Sequence, residues 1–168
     1  EKTIMGHALH VTDDEYELYR QTGTRVAHCP TSNFFLGSGL FSLSRFVEQG
    51  TPVGLASDVG GGTSLSMLKT MAQAYEGQRL AGRIVTPDEL FYLATLGGAK
   101  ALGMGDQIGS FAPGKCADFQ VLDWRRSRLL KRRFEATAAT VQSAADRLFA
   151  LLFLGDDRLT KSVVVAGR

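Results

Sequence analysis

Two residues whose side chains can do chemistry each stand just after a short apolar segment. His7 follows the segment 3–6, and Asp58 follows the segment 53–57. In a parallel α/β barrel the carboxyl ends of all the strands share one face, so residues far apart in sequence meet there. An imidazole and a carboxylate on that face suit a divalent metal ion or an acid–base pair. The placement therefore predicts a shared site for His7 and Asp58.

Each of these residues also has a purely structural interpretation. A histidine at position 7 could simply be a hydrogen-bonded core residue. Asp58 is suited to cap the helix that follows it. The glycines at 60–62 have the backbone N–H groups of a phosphate-binding loop, but the lysine of a Walker A motif is absent and Asp58 repels anions. We expect instead a flexible loop that lets the backbone approach the site. His10 is predicted to be a loop residue.

The segment 28–33, with the sequence His-Cys-Pro-Thr-Ser-Asn, also ends a predicted strand. Cys29 is predicted to be a small buried hydrophobic residue. Ser32 and Asn33 are predicted to hydrogen-bond neighbouring backbone and to shape a loop beside a pocket. The His-x-Glu and Pro-Cys-x-x-Cys motifs of one class of zinc deaminases are absent, which excludes that class.

Composition is that of an ordinary globular protein. Of the 168 residues, 44% are hydrophobic and 21% are charged, and the net charge of +2 is too small to indicate a nucleic-acid or membrane partner. Cys29 and Cys116 form no Cys-x-x-Cys pair, which favours a reducing, cytoplasmic setting. Six basic residues within 125–133 are predicted to form a solvated face, with binding of an acidic group as the minor alternative. The chain begins without methionine and enters a predicted strand almost at once, so we expect a piece of a longer protein.

Strands and helices alternate in the first two thirds of the sequence, which predicts an α/β fold with a parallel sheet. Past this region the pattern changes to a turn-rich stretch at 108–115, a strand, a mostly helical stretch and a closing strand. In the first region, strands are predicted at 3–7, 24–30 and 51–58. Helices are predicted from the cap at Thr12 to Gly23, near 40–49, from Thr63 or Ser64, and from the cap at Thr86 to Leu102.

A set of short motifs in a fixed order resembles the carboxyl-terminal part of the guanine deaminases, within the amidohydrolase superfamily. The motifs around His7, 27–33 and Asp58 are shared with related aminohydrolases and chlorohydrolases. The glycines followed by Ser-Met-Leu, and the late Leu-Gly-Asp-Asp-Arg, resemble guanine deaminases more specifically. The motifs are Gly6-His7, 27–33, Ser38-Gly39, 54–62, 66–68, 94–99, 113–118 and 154–158.

The resemblance implies part of a TIM (β/α)₈ barrel, comprising strands 6–8 and their helices, together with part of a small β-sandwich. Residues 1–105 would belong to the barrel, and residues 106–168 to the sandwich with a helical insertion. His7 and Asp58 would be catalytic, and Asp58 would also ligate a metal. The resemblance implies guanine as substrate, xanthine and ammonia as products, zinc or alternatively iron as cofactor, and a cytoplasmic homodimer as the parent protein. It assigns no purine-contacting residue.

In this family, zinc lowers the pKa of its bound water. By resemblance, Asp58 would accept a proton from that water, and His7 would stabilise charge on the tetrahedral intermediate. The other metal ligands of the family, a His-x-His and a further His, are expected before residue 1, as is a proton-shuttling Glu. We therefore expect the isolated chain to be inactive. The alternatives are a related aminohydrolase or chlorohydrolase acting on another heterocycle, a non-catalytic structural fragment, and a barrel completed by a second polypeptide or a second copy.

Overall fold

In a computed structural model, which describes residues 3–136 and 141–168, three short parallel strands form a sheet in the order β1-β2-β3. The residue pairs Met5–Val26 and Val26–Val53 are aligned across it, which makes β2 the central strand. A separate pair of strands, β4 and β5, is antiparallel. The strands are β1 (Ile4–Gly6), β2 (Arg25–His28), β3 (Val53–Leu55), β4 (Phe119–Leu122) and β5 (Thr160–Val164).

Helices connect the parallel strands and then cover them. The first three lie between strands of the sheet, the next three follow β3, and the last two lie between β4 and β5. They are α1 (Asp13–Thr22), α2 (Pro30–Phe35), α3 (Leu43–Glu48), α4 (Met67–Leu80), α5 (Pro87–Ala94), α6 (Leu96–Ala101), α7 (Arg128–Ala136) and α8 (Val141–Leu154). The α/β class predicted from the alternation is confirmed. No described helix is both long enough and apolar enough to cross a membrane.

Local capping signals place the ends of α1 where the sequence predicts them. The Thr12 hydroxyl accepts a hydrogen bond from the backbone N–H of Glu15, and the Glu15 carboxylate accepts one from the backbone N–H of Thr12, at 2.7 Å. Together these bonds form a capping box. Gly23 ends the helix in the left-handed conformation, with φ of 65°.

Two predicted segments differ from the structure. The segment after Pro30, predicted to be a loop, forms the short buried helix α2. The helix predicted from Thr86 to Leu102 is instead two helices, α5 and α6, separated at Thr95, where ψ is −95°. Gly97 and Gly98, at the start of α6, are weak helix formers, but their lack of side chains lets α6 lie directly against β3.

The described residues contain two apolar clusters. The larger one packs α1, α3, α4 and α5 against the sheet, with Val26 and Phe46 wholly buried at its centre. The smaller one joins α7 and α8 to the end of the chain through Leu130 and Leu159. The six basic residues within 125–133 are all exposed, as predicted for a solvated face.

The contact between β3 and α6 gives a stability prediction. A Cβ at Gly54 would lie only 2.8 Å from the Cα of Gly98, so Gly54→Ala forces the helix away from the sheet. We expect this substitution to lower the free energy of unfolding by about 1–3 kcal/mol, measured by urea denaturation followed by circular dichroism. Gly6→Ala is the matched control, since a Cβ at Gly6 meets no atom within 4 Å. Equal losses in the two variants would contradict this packing.

His28 is buried in the larger core without a polar partner. The residue is only 3% exposed to solvent, and neither ring nitrogen has a hydrogen-bond partner among the described residues. The ring stacks on Phe41, with centroids 4.2 Å apart. Burial lowers the pKa of His28 from its usual 6.5 to about 3, and the nearby His7 ring contributes to the shift. His28 is therefore neutral in the folded protein.

This lowered pKa makes folding stability depend on pH. Above pH 6.5 the contribution of neutral His28 is fully present. As the pH falls toward 3, His28 binds a proton in the unfolded chain but not in the folded chain. The free energy of unfolding therefore decreases by about 1.4 kcal/mol per pH unit. Between pH 6.5 and pH 5 we expect His28→Phe to lose about 2 kcal/mol less stability than the natural chain in urea titrations. His10→Gln, which replaces an exposed histidine, is the control. Identical pH profiles of unfolding free energy for His28→Phe and the natural chain would disprove the prediction.

Candidate active site at the carboxyl ends of the parallel strands

His7 and Asp58 meet just beyond the carboxyl ends of β1 and β3. The Nε2 atom of His7 lies 3.6 Å from the Oδ2 atom of Asp58, and the two side chains are 44% and 38% exposed. The sequence predicted this meeting from the matching positions of the two residues after their strands. The pair is open to solvent on one side, so a small molecule has access to both groups.

The register of the sheet holds the backbone of this site in place. Gly6 is aligned with Ala27, and Ala27 with Gly54, so the three strands end side by side. The backbone N–H of His7 donates to the carbonyl of Ala27 at 3.0 Å, which continues the pairing of β1 with β2 beyond the strand end. His7 thereby leaves the sheet from a fixed point.

Of the four described non-glycine residues with positive φ, three lie at or next to the candidate pair, and the fourth is Ala166. His7, Ala8 and Asp58 all have positive φ, at 65°, 49° and 47°. Residues other than glycine seldom adopt this left-handed region, which costs on the order of 1–3 kcal/mol per residue. Strain of this kind is typical of functional sites, where a side chain must be aimed at a particular point.

The glycine loop packs tightly against Asp58. The backbone N–H groups of Gly61 and Gly62 both donate to the Asp58 carbonyl, at 3.1 and 2.5 Å. A Cβ at Gly62 would lie 1.9 Å from the carbonyl oxygen of Ser57, and a Cβ at Gly61 would lie 3.1 Å from Oδ2 of Asp58. The loop therefore brings backbone close to the carboxylate, as expected, and two of its N–H groups are used by Asp58 itself rather than turned toward a phosphate.

Helix α2 connects the two halves of the site. The Asn33 side-chain oxygen lies 2.8 Å from the Nδ1 atom of His7, and the Thr31 hydroxyl donates to the Ser57 carbonyl at 3.2 Å. Asn33 was predicted to bond neighbouring backbone, but its side-chain oxygen bonds the His7 ring. The hydroxyl of Ser32, also predicted to bond backbone, has no partner among the described residues. The proline at the first position of α2 is the sequence signal for this helix.

Cys29 is a third potential ligand beside the pair. Ligand atoms of His7, Cys29 and Asp58 all lie within 4.8 Å of one another, a grouping that the sequence analysis missed. Cys29 is buried, as predicted, and its thiol donates to the Ala27 carbonyl at 3.3 Å. Burial raises the pKa of this thiol, so it is protonated near neutral pH. His10 lies in a loop, as predicted, and its Nε2 bonds the Ser38 carbonyl at 2.9 Å.

The chemistry of these groups fits a zinc ion in part. Imidazole nitrogen and carboxylate oxygen are ordinary zinc ligands, and His7 and Asp58 offer one of each. The protonated thiol of Cys29 is a poor ligand. Zinc sites commonly use three or four protein ligands, so a metal at this point needs ligands beyond this pair.

A cavity elsewhere in the molecule does not extend this site. It is lined by residues from the start of α4, from α5, and from β4, including Leu68, Phe91 and Leu122. None of the three potential metal ligands lines it. The arrangement of those ligands, and not this cavity, therefore identifies the candidate site.

Comparison with known proteins supports the resemblance seen in the sequence. Guanine deaminase from Escherichia coli (strain K12) is 41% identical over 165 residues, covering 98% of this chain, and a solved structure of E. coli guanine deaminase matches with a TM-score of 0.91. A guanine deaminase from C. acetobutylicum, solved with bound guanine in its active site, is 29% identical with a TM-score of 0.84 and covers 99% of this chain. An adenosine deaminase from Xanthomonas campestris with bound zinc is 27% identical with a TM-score of 0.80 and covers 98%.

The matches cover nearly the whole of this chain but only part of each relative. The chain spans 37% of the length of the E. coli guanine deaminase sequence, and it spans 38% and 36% of the C. acetobutylicum and X. campestris chains. The predicted similarity to guanine deaminases is confirmed by these relatives. The model of the family described as "Amidohydrolase family" matches residues 1–168. On this evidence, the chain belongs to the amidohydrolase family.

Proposed function

We propose that this chain forms part of a guanine deaminase, an enzyme that hydrolyses guanine to xanthine and ammonia. The observation that carries the proposal is the His7–Asp58 pair, which stands at the carboxyl ends of parallel strands in a chain 41% identical to the E. coli guanine deaminase. The guanine bound in the C. acetobutylicum relative supports guanine as the substrate. A cytoplasmic homodimer remains a prediction from the resemblance.

We assign residues 1–105 to part of a TIM barrel, in which β1, β2 and β3 would be strands 6, 7 and 8. Parallel strands with helical connections, and candidate residues at their carboxyl ends, support this assignment. We assign residues 106–168 to part of a small β-sandwich with a helical insertion. Its support is the antiparallel pairing of β4 with β5 and the separate apolar cluster beneath α7 and α8.

The proposed cofactor is zinc, with iron as the alternative, and Asp58 is its proposed ligand in this chain. The zinc bound in the X. campestris relative supports a metal at the site. When bound, zinc supplies a water molecule whose pKa is lowered to about 7. The remaining ligands would come from parts of the enzyme outside these 168 residues, because Asp58 alone cannot hold zinc.

The two side chains then have different proposed roles. The carboxylate of Asp58 accepts a proton from the attacking water, which raises the nucleophilicity of that water toward the ring carbon bearing the amine. The imidazole of His7, with Nε2 within 3.6 Å of that carboxylate, holds the same water by a hydrogen bond. As charge develops on the tetrahedral intermediate, a proton on Nε2 stabilises it. No residue of the chain is assigned to the purine ring.

The test of the proposed function uses an intact enzyme that contains this segment. With zinc present, we expect loss of guanine absorbance and formation of xanthine. Asp58→Asn and His7→Gln should each lower kcat by about 10²–10⁴. The first removes the proton acceptor, and the second removes the imidazole that bonds the water. Asp106→Asn, at an exposed carboxylate far from the site in sequence, is the control. An intact enzyme that hydrolyses other aminated or chlorinated heterocycles but leaves guanine unchanged would refute the substrate.

The 168-residue chain alone gives a separate prediction. Because its one proposed ligand, Asp58, falls short of a zinc site, we expect less than stoichiometric zinc after dialysis and no xanthine formation. Metal analysis and the guanine assay measure the two quantities on the same sample. Stoichiometric zinc together with turnover would show that this chain is a complete catalyst, alone or as an oligomer, and a solution mass above 18.2 kDa would identify the oligomer.

A further inference from the structure

We infer that Asn33 is a positioning residue for His7: its side-chain oxygen accepts the hydrogen of Nδ1, which fixes the ring and turns the lone pair of Nε2 toward Asp58. The catalytic meaning of this contact rests on the proposed function. The contact itself is a property of the chain and is measurable without catalysis.

The His7 and Asn33 side chains make a single short contact. Nδ1 of His7 and Oδ1 of Asn33 are 2.8 Å apart, which is the distance of a good hydrogen bond. An amide oxygen only accepts, so the hydrogen of this bond must be on Nδ1. In a neutral imidazole only one nitrogen carries hydrogen, and the bond made by one nitrogen thereby determines the state of the other. Nε2 of neutral His7 therefore carries a lone pair.

The other side of the ring agrees with this assignment. Nε2 lies 3.6 Å from Oδ2 of Asp58, beyond the 2.7–3.2 Å of an N–H···O bond. When both groups act as acceptors, a water molecule that lies beside the pair can donate one O–H to each of them. A hydrogen bond accepted by Nε2 from such a water leaves the Nδ1–H bond to Asn33 intact.

Asn33 is itself held rigidly enough to perform this role. It is 1% exposed on α2, its backbone N–H donates to the Cys29 carbonyl at 3.0 Å, and its carbonyl accepts from the N–H of Ser38 at 2.8 Å. Side-chain rotation is restricted in such a site, so the amide offers the ring a fixed acceptor.

The other end of the Asn33 amide makes no comparable contact. Its Nδ2 group is buried and has no hydrogen-bond partner among the described residues. A buried donor left unpaired costs about 1–3 kcal/mol. Asn33 is thus a costly residue for the core at this position, and the contact that its side chain does make is the one to His7.

Removal of the acceptor should change which nitrogen carries the hydrogen. In Asn33→Leu, Nδ1 has no acceptor, whereas a hydrogen on Nε2 is attracted by the nearby carboxylate of Asp58. The Nε2 lone pair would then no longer be available to a water molecule.

The experiment measures the tautomer of His7 in the 168-residue chain labelled with ¹⁵N-histidine. Long-range ¹H–¹⁵N correlations recorded at about pH 8.5 identify the nitrogen that carries hydrogen. We expect hydrogen on Nδ1 in the natural chain and on Nε2 in Asn33→Leu. Asn33→Asp keeps an acceptor and should restore Nδ1–H. Ser32→Ala is the matched control: Ser32 is the buried neighbour on α2, and its hydroxyl has no partner among the described residues.

The same variants in the intact enzyme link the tautomer to catalysis. We expect Asn33→Leu to lower kcat about 10–100-fold with little change in KM, Asn33→Asp to recover part of the loss, and Ser32→Ala to leave kcat unchanged. Hydrogen on Nε2 in the natural chain, or an unchanged tautomer in Asn33→Leu, overturns the inference. Should Asn33→Leu fail to fold, as its amide spectrum would show, the tautomers of the natural chain and of Asn33→Asp decide.

Failure of this inference is distinguishable from failure of the proposed function. An intact enzyme that leaves guanine unchanged refutes the function, whereas the His7 tautomer in the 168-residue chain stands by itself. Conversely, guanine turnover with hydrogen on Nε2 keeps the function and removes Asn33 from its proposed role.

Discussion

The parallel register of three short strands is the constraint on which the site depends. Neighbouring strands lie about 4.8 Å apart, so the ends of β1 and β3, on either side of β2, are separated by about 10 Å. The His7 and Asp58 side chains nevertheless approach to 3.6 Å, which requires both to lean inward over the end of β2. Left-handed backbone at both residues accompanies this turn of direction. The sheet sets the distance between the strand ends, and the left-handed backbone directs the two side chains toward each other.

Helix α2 keeps this arrangement from relaxing. It begins immediately after β2, and its first four residues are buried. On one side Thr31 donates to the carbonyl of Ser57, next to Asp58, and on the other Asn33 meets the ring of His7. The glycine loop closes against the same helix, since a Cβ at Gly61 would lie 2.9 Å from the hydroxyl of Ser32. One buried turn of helix thus controls both sides of the pair.

The parts of the fold predicted from sequence are those set by local signals. The capping box of Thr12, the glycine that ends α1, and the positions of His7 and Asp58 after their strands are all local in sequence. Helix α2 was missed because Pro, Thr, Ser and Asn favour turns, and burial against the rest of the fold overrides that preference. The separation of α5 from α6 at Thr95 likewise depends on the contact with β3. Which atoms His28 and Asn33 face is decided by tertiary packing, and no periodicity in the sequence encodes it.

The exposure of β1 connects the incomplete ligand set to the proposed barrel. Ile4 and Met5 are 37% and 48% exposed, although parallel strands are ordinarily covered on both faces. An apolar edge strand of this kind is a surface for further pairing. In the proposed enzyme, the strands that would pair with β1 belong to the same barrel that would bring the remaining metal ligands to its carboxyl face. The uncovered strand and the incomplete ligand set then have one explanation, because the same part of the barrel would supply both the pairing strands and the missing ligands.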